Sequence, residues 1–68
     1  MQYSLKELRA RKNLTQTEVA KDLSVSVPTY CGWERDASHV AVSKILAIAN
    51  YYGVKIGDIN FNPNFFTD

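Results

Sequence analysis

The stretch TQTEVAKDLSVSVPTYCGWER, residues 15–35, decides the architecture of this chain. Thr15 and Glu18 form a capping box, in which a hydroxyl and a carboxylate each take a free backbone N–H at a helix start. Val19, Ala20 and Leu23 then supply an inward stripe at helical spacing. Only Ser24 and Val25 precede Ser26, the next cap candidate, and Pro28 lies in the following first turn, where a missing N–H costs nothing. A helix from about Val27 to Glu34 follows, anchored inward by Tyr30 and Trp33. Gly32 in its interior costs about 1 kcal/mol against alanine, so something other than helix propensity keeps it there.

Upstream, Ser4 and Glu7 make another capping box, opening a helix with Leu5, Leu8 and Lys12 on one face, and Asn13 suits a left-handed end. Downstream, Asp36 to His39 read as a connection. Val42, Ile45, Leu46, Ala49 and Tyr52 then recur at spacings of three and four and mark a fourth helix as the hydrophobic centre. Gly53 ends it, and IGDI is a weakly signalled last turn without a Ser or Asp cap. FNPNFFTD, with Pro63 between two asparagines, discourages any regular element. The expected fold is all-α, a compact bundle of four to five short helices, with one domain over residues 1–61 and a tail over 62–68.

A chain of 68 residues is one domain, and at this size folding removes only about 60% of the surface the unfolded chain exposes. The single cysteine, Cys31, excludes an internal disulfide. The N-terminus has neither a signal-peptide core nor an apolar span long enough for a membrane, so a soluble, cytoplasmic protein is expected. Net charge is only +1, but Lys6, Arg9, Arg11, Lys12 and Lys21 face Glu7 and Glu18 in the first 21 residues, a basic bias that suits either a solvated face or a phosphate footprint. The Met1 start and the tail beyond Phe61 favour a complete small protein, the alternative being the N-terminal part of a longer one.

Two short helices separated by Ser24 and Val25 make a helix-turn-helix arrangement, a weak signal by spacing alone. With IANYYGVKIGDI following, residues 5 to 61 resemble the small phage repressor and Cro-like helix-turn-helix family, also called the xenobiotic-response-element family. The resemblance implies a lambda-repressor-like DNA-binding domain, a sequence-specific transcriptional regulator whose recognition helix, about Val27 to Glu34, enters the major groove. It also implies a buried ion pair between Arg9 and Glu34, joining the first helix to the end of the third. Ala20 is small enough for the two helices of the motif to cross closely, and Val25 and Tyr30 fill the space between them.

The implied DNA-binding residues are Gln16, Lys21, Ser26, Val27, Pro28, Thr29, Cys31, Gly32 and Arg35. Gln16, just after the Thr15 cap, suits a phosphate. At the positions that reach base edges in the family, Val27, Pro28 and Gly32 cannot make a bidentate bond to a base. They present carbon to thymine methyl groups and permit close approach. The Ser26 and Thr29 hydroxyls suit phosphate oxygens. Ser24 stands where the family usually has glycine and Asp36 replaces another frequent glycine, so both positions are open to backbone strain. The RDASHV connection keeps only Arg35 and His39 of the usual basic residues, with Lys44 further on.

An enzyme is not expected, since His39 and Cys31 have no third group to make a nucleophile–base pair and fall short of a metal site. No cofactor, metal, membrane or small-molecule substrate is expected, and the expected partner is double-stranded DNA. A homodimer contact would lie at the C-terminal region, at Phe61, Phe65, Phe66 and the final turn, unless these phenylalanines fold back over the fourth helix. The competing function is a helix-turn-helix adaptor that binds a protein, a repressor or antirepressor, through the apolar Val27 and Pro28.

Overall fold

Capping chemistry places the helix starts. In the computed structural model, which describes residues 2–61, Ser4 and Thr15 each complete a capping box at the head of α1 (Leu5–Arg11) and α2 (Gln16–Asp22). Ser26 accepts from the Thr29 N–H to open α3 (Val27–Arg35), with Pro28 in its first turn. The fourth helix, α4 (Val42–Tyr52), has no side-chain cap at its start and ends at Gly53, whose φ of 69° is the left-handed geometry that glycine adopts without a Cβ penalty. Two other left-handed residues close helices, Asn13 (φ 55°) after α1 and Ser24 (φ 59°) in the turn between α2 and α3.

The described residues are thus all-α, apart from one isolated parallel bridge between Tyr3 and Ile59. That bridge fastens the segment before α1 to the end of the fold, with Tyr3 N–H donating to the Asp58 carbonyl at 2.8 Å and Asn60 N–H to the Tyr3 carbonyl at 2.9 Å. Arg11 lies over the Tyr3 ring, 4.8 Å from its centre. Leu5 and Leu8 of α1, Val19, Ala20 and Leu23 of α2, Tyr30 and Trp33 of α3, and Ile48, Ala49 and Tyr52 of α4 share one core. Lys12, which follows α1 as its C-cap, is exposed and does not extend the inward face of Leu5 and Leu8.

Two further expectations are corrected. Val42 and Leu46, read as core, are 85% and 59% exposed, while Ile48, two residues beyond Leu46, is fully buried. The reason lies in the sequence VSKILAIANYY, which is apolar on most sides, so periodicity alone does not choose the inward face. Contacts choose it: Lys44 Nζ donates to the Leu23 carbonyl at 3.2 Å and Tyr51 to Asp22 at 2.7 Å, turning the 44–48–51 side toward α2. Asp36 is not left-handed, for at φ −151° and ψ 90° it is extended and unstrained, and its carboxylate accepts from the Ser38 N–H. The connection after α3 contains a 3-10 turn, Ala37–His39, with Ala37 buried. The weakly signalled last turn is likewise a 3-10 turn, Ile56–Asp58.

Candidate nucleic-acid interface

The geometry of α3 follows from where its large side chains go. Tyr30 and Trp33 are buried, their rings edge to face with centres 6.3 Å apart. The opposite side is therefore presented outward: Val27, Pro28 and Arg35 are exposed, and Cys31 and Gly32 half-buried. Rows 27–31–35 and 28–32 at helical spacing bring these five expected residues onto one face. A Cβ added at Gly32 would meet only the Arg35 guanidinium at 3.9 Å, an ordinary contact, so packing within the domain does not require glycine there.

At the head of α3, the Ser26 hydroxyl accepts from the Thr29 N–H at 3.2 Å and donates to Thr29 Oγ1 at 2.7 Å. Ser26 is thus spent on capping, and the outward hydroxyl donor of the pair is Thr29. Both are exposed, as is Lys21 in the last turn of α2.

The foot of α3 is held by Glu34. Its carboxylate accepts from Arg9 Nε at 2.6 Å and Arg9 Nη2 at 3.3 Å, and from Gln16 Nε2 at 3.0 Å, so α1, the head of α2 and α3 meet at one carboxylate. Arg9 Nη1 also donates to the Leu14 carbonyl at 2.9 Å. The two side chains of the ion pair are only 18% and 6% exposed. Burial pushes the Glu34 pKa up, but hydrogen bonds from Arg9, Gln16 and Tyr30 outweigh it and hold the carboxyl below its ordinary value. The Glu34 hydrogen bond, opposed by burial, raises the Arg9 pKa. Tyr30 and Tyr52 hydroxyls are hydrogen-bonded to each other in the core. Burial first, then its interactions with Tyr52 and Glu34, raises the Tyr30 pKa.

Gln16, expected at a phosphate, therefore has one amide N–H committed to Glu34, leaving its second to point elsewhere. It lies on an open cleft of about 620 Å³ lined by Lys6, Arg9, Gln16, Cys31, Glu34 and Arg35. With three cations against one carboxylate, this groove is electropositive and adjoins the outward face of α3 through Cys31 and Arg35. Lys6 belongs to it but entered the sequence reading only as part of the basic bias. The available signal was its i,i+3 spacing from Arg9, which puts both on one side of α1.

Lys44 does not face outward, since its ammonium caps the end of α2 at Leu23. His39 is paired with Asp36 at 3.0 Å. Among the described residues there is no group of three metal-ligating side chains, and no helix is long and apolar enough to cross a membrane. Phe61 is half-buried against the core, whereas Phe65 and Phe66 of the expected dimer contact lie outside the described residues.

Comparison with known proteins agrees with this geometry. A helix-turn-helix family model matches residues 5–59. An uncharacterized HTH-type transcriptional regulator, MJ0272 of Methanocaldococcus jannaschii, is 41% identical over 59 residues, covering 87% of this chain and 89% of its own. The cryptic phage CTXphi transcriptional repressor RstR of Vibrio cholerae is 29% identical over 55 residues, which are 81% of this chain and 50% of the repressor. No solved structure matches.

Proposed function

Because the chain belongs to the Cro/C1-type helix-turn-helix family, we propose that it is a non-enzymatic, cytoplasmic DNA-binding transcriptional regulator of the phage Cro/repressor type, with α3 lying in the major groove. The observation that carries the reading is the division of α3 into two faces. Tyr30 and Trp33 are buried and Glu34 is tied to α1 and α2, while Val27, Pro28, Cys31, Gly32 and Arg35 are turned out of the domain.

On such a face Val27 and the Pro28 ring pack on thymine methyl groups, and Gly32 lets the sugar–phosphate backbone come close. Lys21, Arg35, Thr29 and the second amide N–H of Gln16 take phosphates and set the register. Few cations share this work, so binding is weak for one copy, and two copies on a palindromic site supply the missing affinity. The test is fluorescence anisotropy on a duplex selected by the protein, across salt concentrations. Lys21→Ala and Arg35→Ala should each lower the salt slope by about one without changing base preference. A slope unchanged in both variants would remove these residues from the interface.

The second reading, an adaptor for a protein repressor or antirepressor, draws on the 36% exposure of Val27, a large aliphatic side chain at the head of α3. Salt separates the two, since an apolar protein contact hardly responds to it.

A further inference from the structure

The cleft bounded by α1, the head of α2 and the foot of α3 holds cations that the fold does not use. Arg9 is committed to Glu34 and the Leu14 carbonyl, and Glu34, the one carboxylate lining the cleft, is taken by Arg9 and Gln16. Lys6 and Arg35 are both exposed and, among the described residues, in no ion pair. Lys6 has no acid within reach along its own helix, since Arg9 and Ala10 lie three and four residues ahead of it and Tyr3 and Gln2 as far behind. Asp36, beside Arg35 in sequence, has its carboxylate occupied by Ser38 and His39. Three cations less one carboxylate leave the cleft with two positive charges in excess. Like charges gathered without a counter-charge are unfavourable in the isolated domain, and an anion in the cleft would relieve them.

We propose that this cleft seats one phosphate group of the duplex backbone, held between Lys6 of α1 and Arg35 of α3. The proposal rests on the DNA-binding reading above and adds to it a contact from α1. Continuity identifies the anion. Cys31 and Arg35 belong both to the cleft and to the outward row of α3, so a helix lying in the major groove brings the backbone strand on its α1 side along the cleft. Form agrees with this. An open cleft of about 620 Å³ admits a continuous chain, whereas a small-molecule site encloses most of its ligand. The chemistry is also matched, because a phosphodiester offers only acceptor oxygens and one negative charge to an ammonium, a guanidinium and the second amide N–H of Gln16. Lys6 touches no base in this arrangement, so it is a positioning residue that sets register and adds affinity without reading sequence.

The test is anisotropy of the full chain on a duplex that it selects, across salt concentrations, with Lys6→Ala set against Lys12→Ala. Lys12 is an equally exposed cation at the end of α1 that lies outside this cleft, so its removal controls for net charge. Lys6→Ala should keep the circular dichroism and base preference of wild type and lower the salt slope by about one. Between about 50 and about 200 mM salt it should therefore lose about threefold less affinity than wild type does. Lys12→Ala should keep the wild-type slope. Neutralising backbone phosphates one at a time as methylphosphonates then locates the seat: one position should weaken wild type and leave Lys6→Ala unaffected. A Lys6→Ala slope equal to that of wild type or of Lys12→Ala, or no phosphate coupled to Lys6, would overturn the seat while the DNA-binding reading stands. Wild type that binds no duplex at any salt would overturn both.

Discussion

Glu34→Gln is the substitution whose consequence is most fully determined by the structure. It keeps the shape of the side chain and an acceptor oxygen for Arg9, but removes the charge that offsets a guanidinium only 18% exposed. Removing one partner of a fully buried pair typically costs about 3–5 kcal/mol. Arg9 keeps some access to water and its bond to the Leu14 carbonyl, so the cost here falls to about 2–3 kcal/mol. A 68-residue domain has about 3–10 kcal/mol in total, so the variant sits close to unfolding. The same loss lowers the melting temperature by about 10–20 °C in a domain of this size.

Urea and thermal unfolding followed by circular dichroism measure this directly. The pH profile supplies a second readout. The folded pKa of Glu34 lies below its ordinary value of 4.5, so its stabilisation is complete above that value and is lost as pH falls through the folded pKa. Glu34→Gln should therefore differ most from wild type at neutral pH and converge with it in acid. Adding Arg9→Met to Glu34→Gln should cost little more, because the uncompensated charge is then gone. A loss below about 1 kcal/mol at neutral pH, or an unchanged gap between variant and wild type in acid, would refute the view that this pair fastens α3 to α1.

Three further substitutions probe separate links. Ser26→Ala removes the acceptor for the Thr29 N–H and should lower stability by about 1 kcal/mol in urea unfolding, with no new exposure of the core. Ser24→Gly should raise stability by a few tenths to about 1 kcal/mol, because serine at φ 59° carries left-handed strain that glycine avoids; a destabilised variant would mean its side chain contributes more than that strain costs. Val27→Gln should change the preferred base pair in a duplex selection while leaving the melting temperature within a few degrees, and an unchanged preference would take Val27 out of the groove.

The elements carrying local chemistry were legible in the sequence. Ser4 with Glu7, Thr15 with Glu18, Ser26 before Pro28, and Gly53 each announce a helix boundary through their own backbone requirements, and each lies at such a boundary. Facing was harder to read. A helix as apolar as α4 offers several inward stripes of similar quality, and the choice fell to Lys44 and Tyr51, whose partners Leu23 and Asp22 lie more than twenty residues away. Asp36 is open to a strained reading because the family resemblance implies a glycine at that position, yet its carboxylate is used to start the Ala37–His39 turn, which needs no left-handed backbone.

The candidate interface shows the same division. The outward row of α3 follows from helical spacing once Tyr30 and Trp33 are taken as anchors. The junction at Glu34 does not, because the bonds of Gln16 and Tyr30 to that carboxylate depend on how three helices cross. Lys6 on the cleft was hidden for a similar reason, since a basic residue on α1 acquires a role only when α3 closes the other wall.

The most direct test of the central claim is selection from a random-sequence duplex pool by the full chain at low and moderate salt, with the bound fraction sequenced. The account requires enrichment of a T-rich inverted repeat at low salt that fades as salt rises, reflecting thymine-methyl contacts on α3 and a small set of phosphate contacts. Absence of any enriched motif at either salt would contradict it and turn the outward face of α3 toward a protein partner.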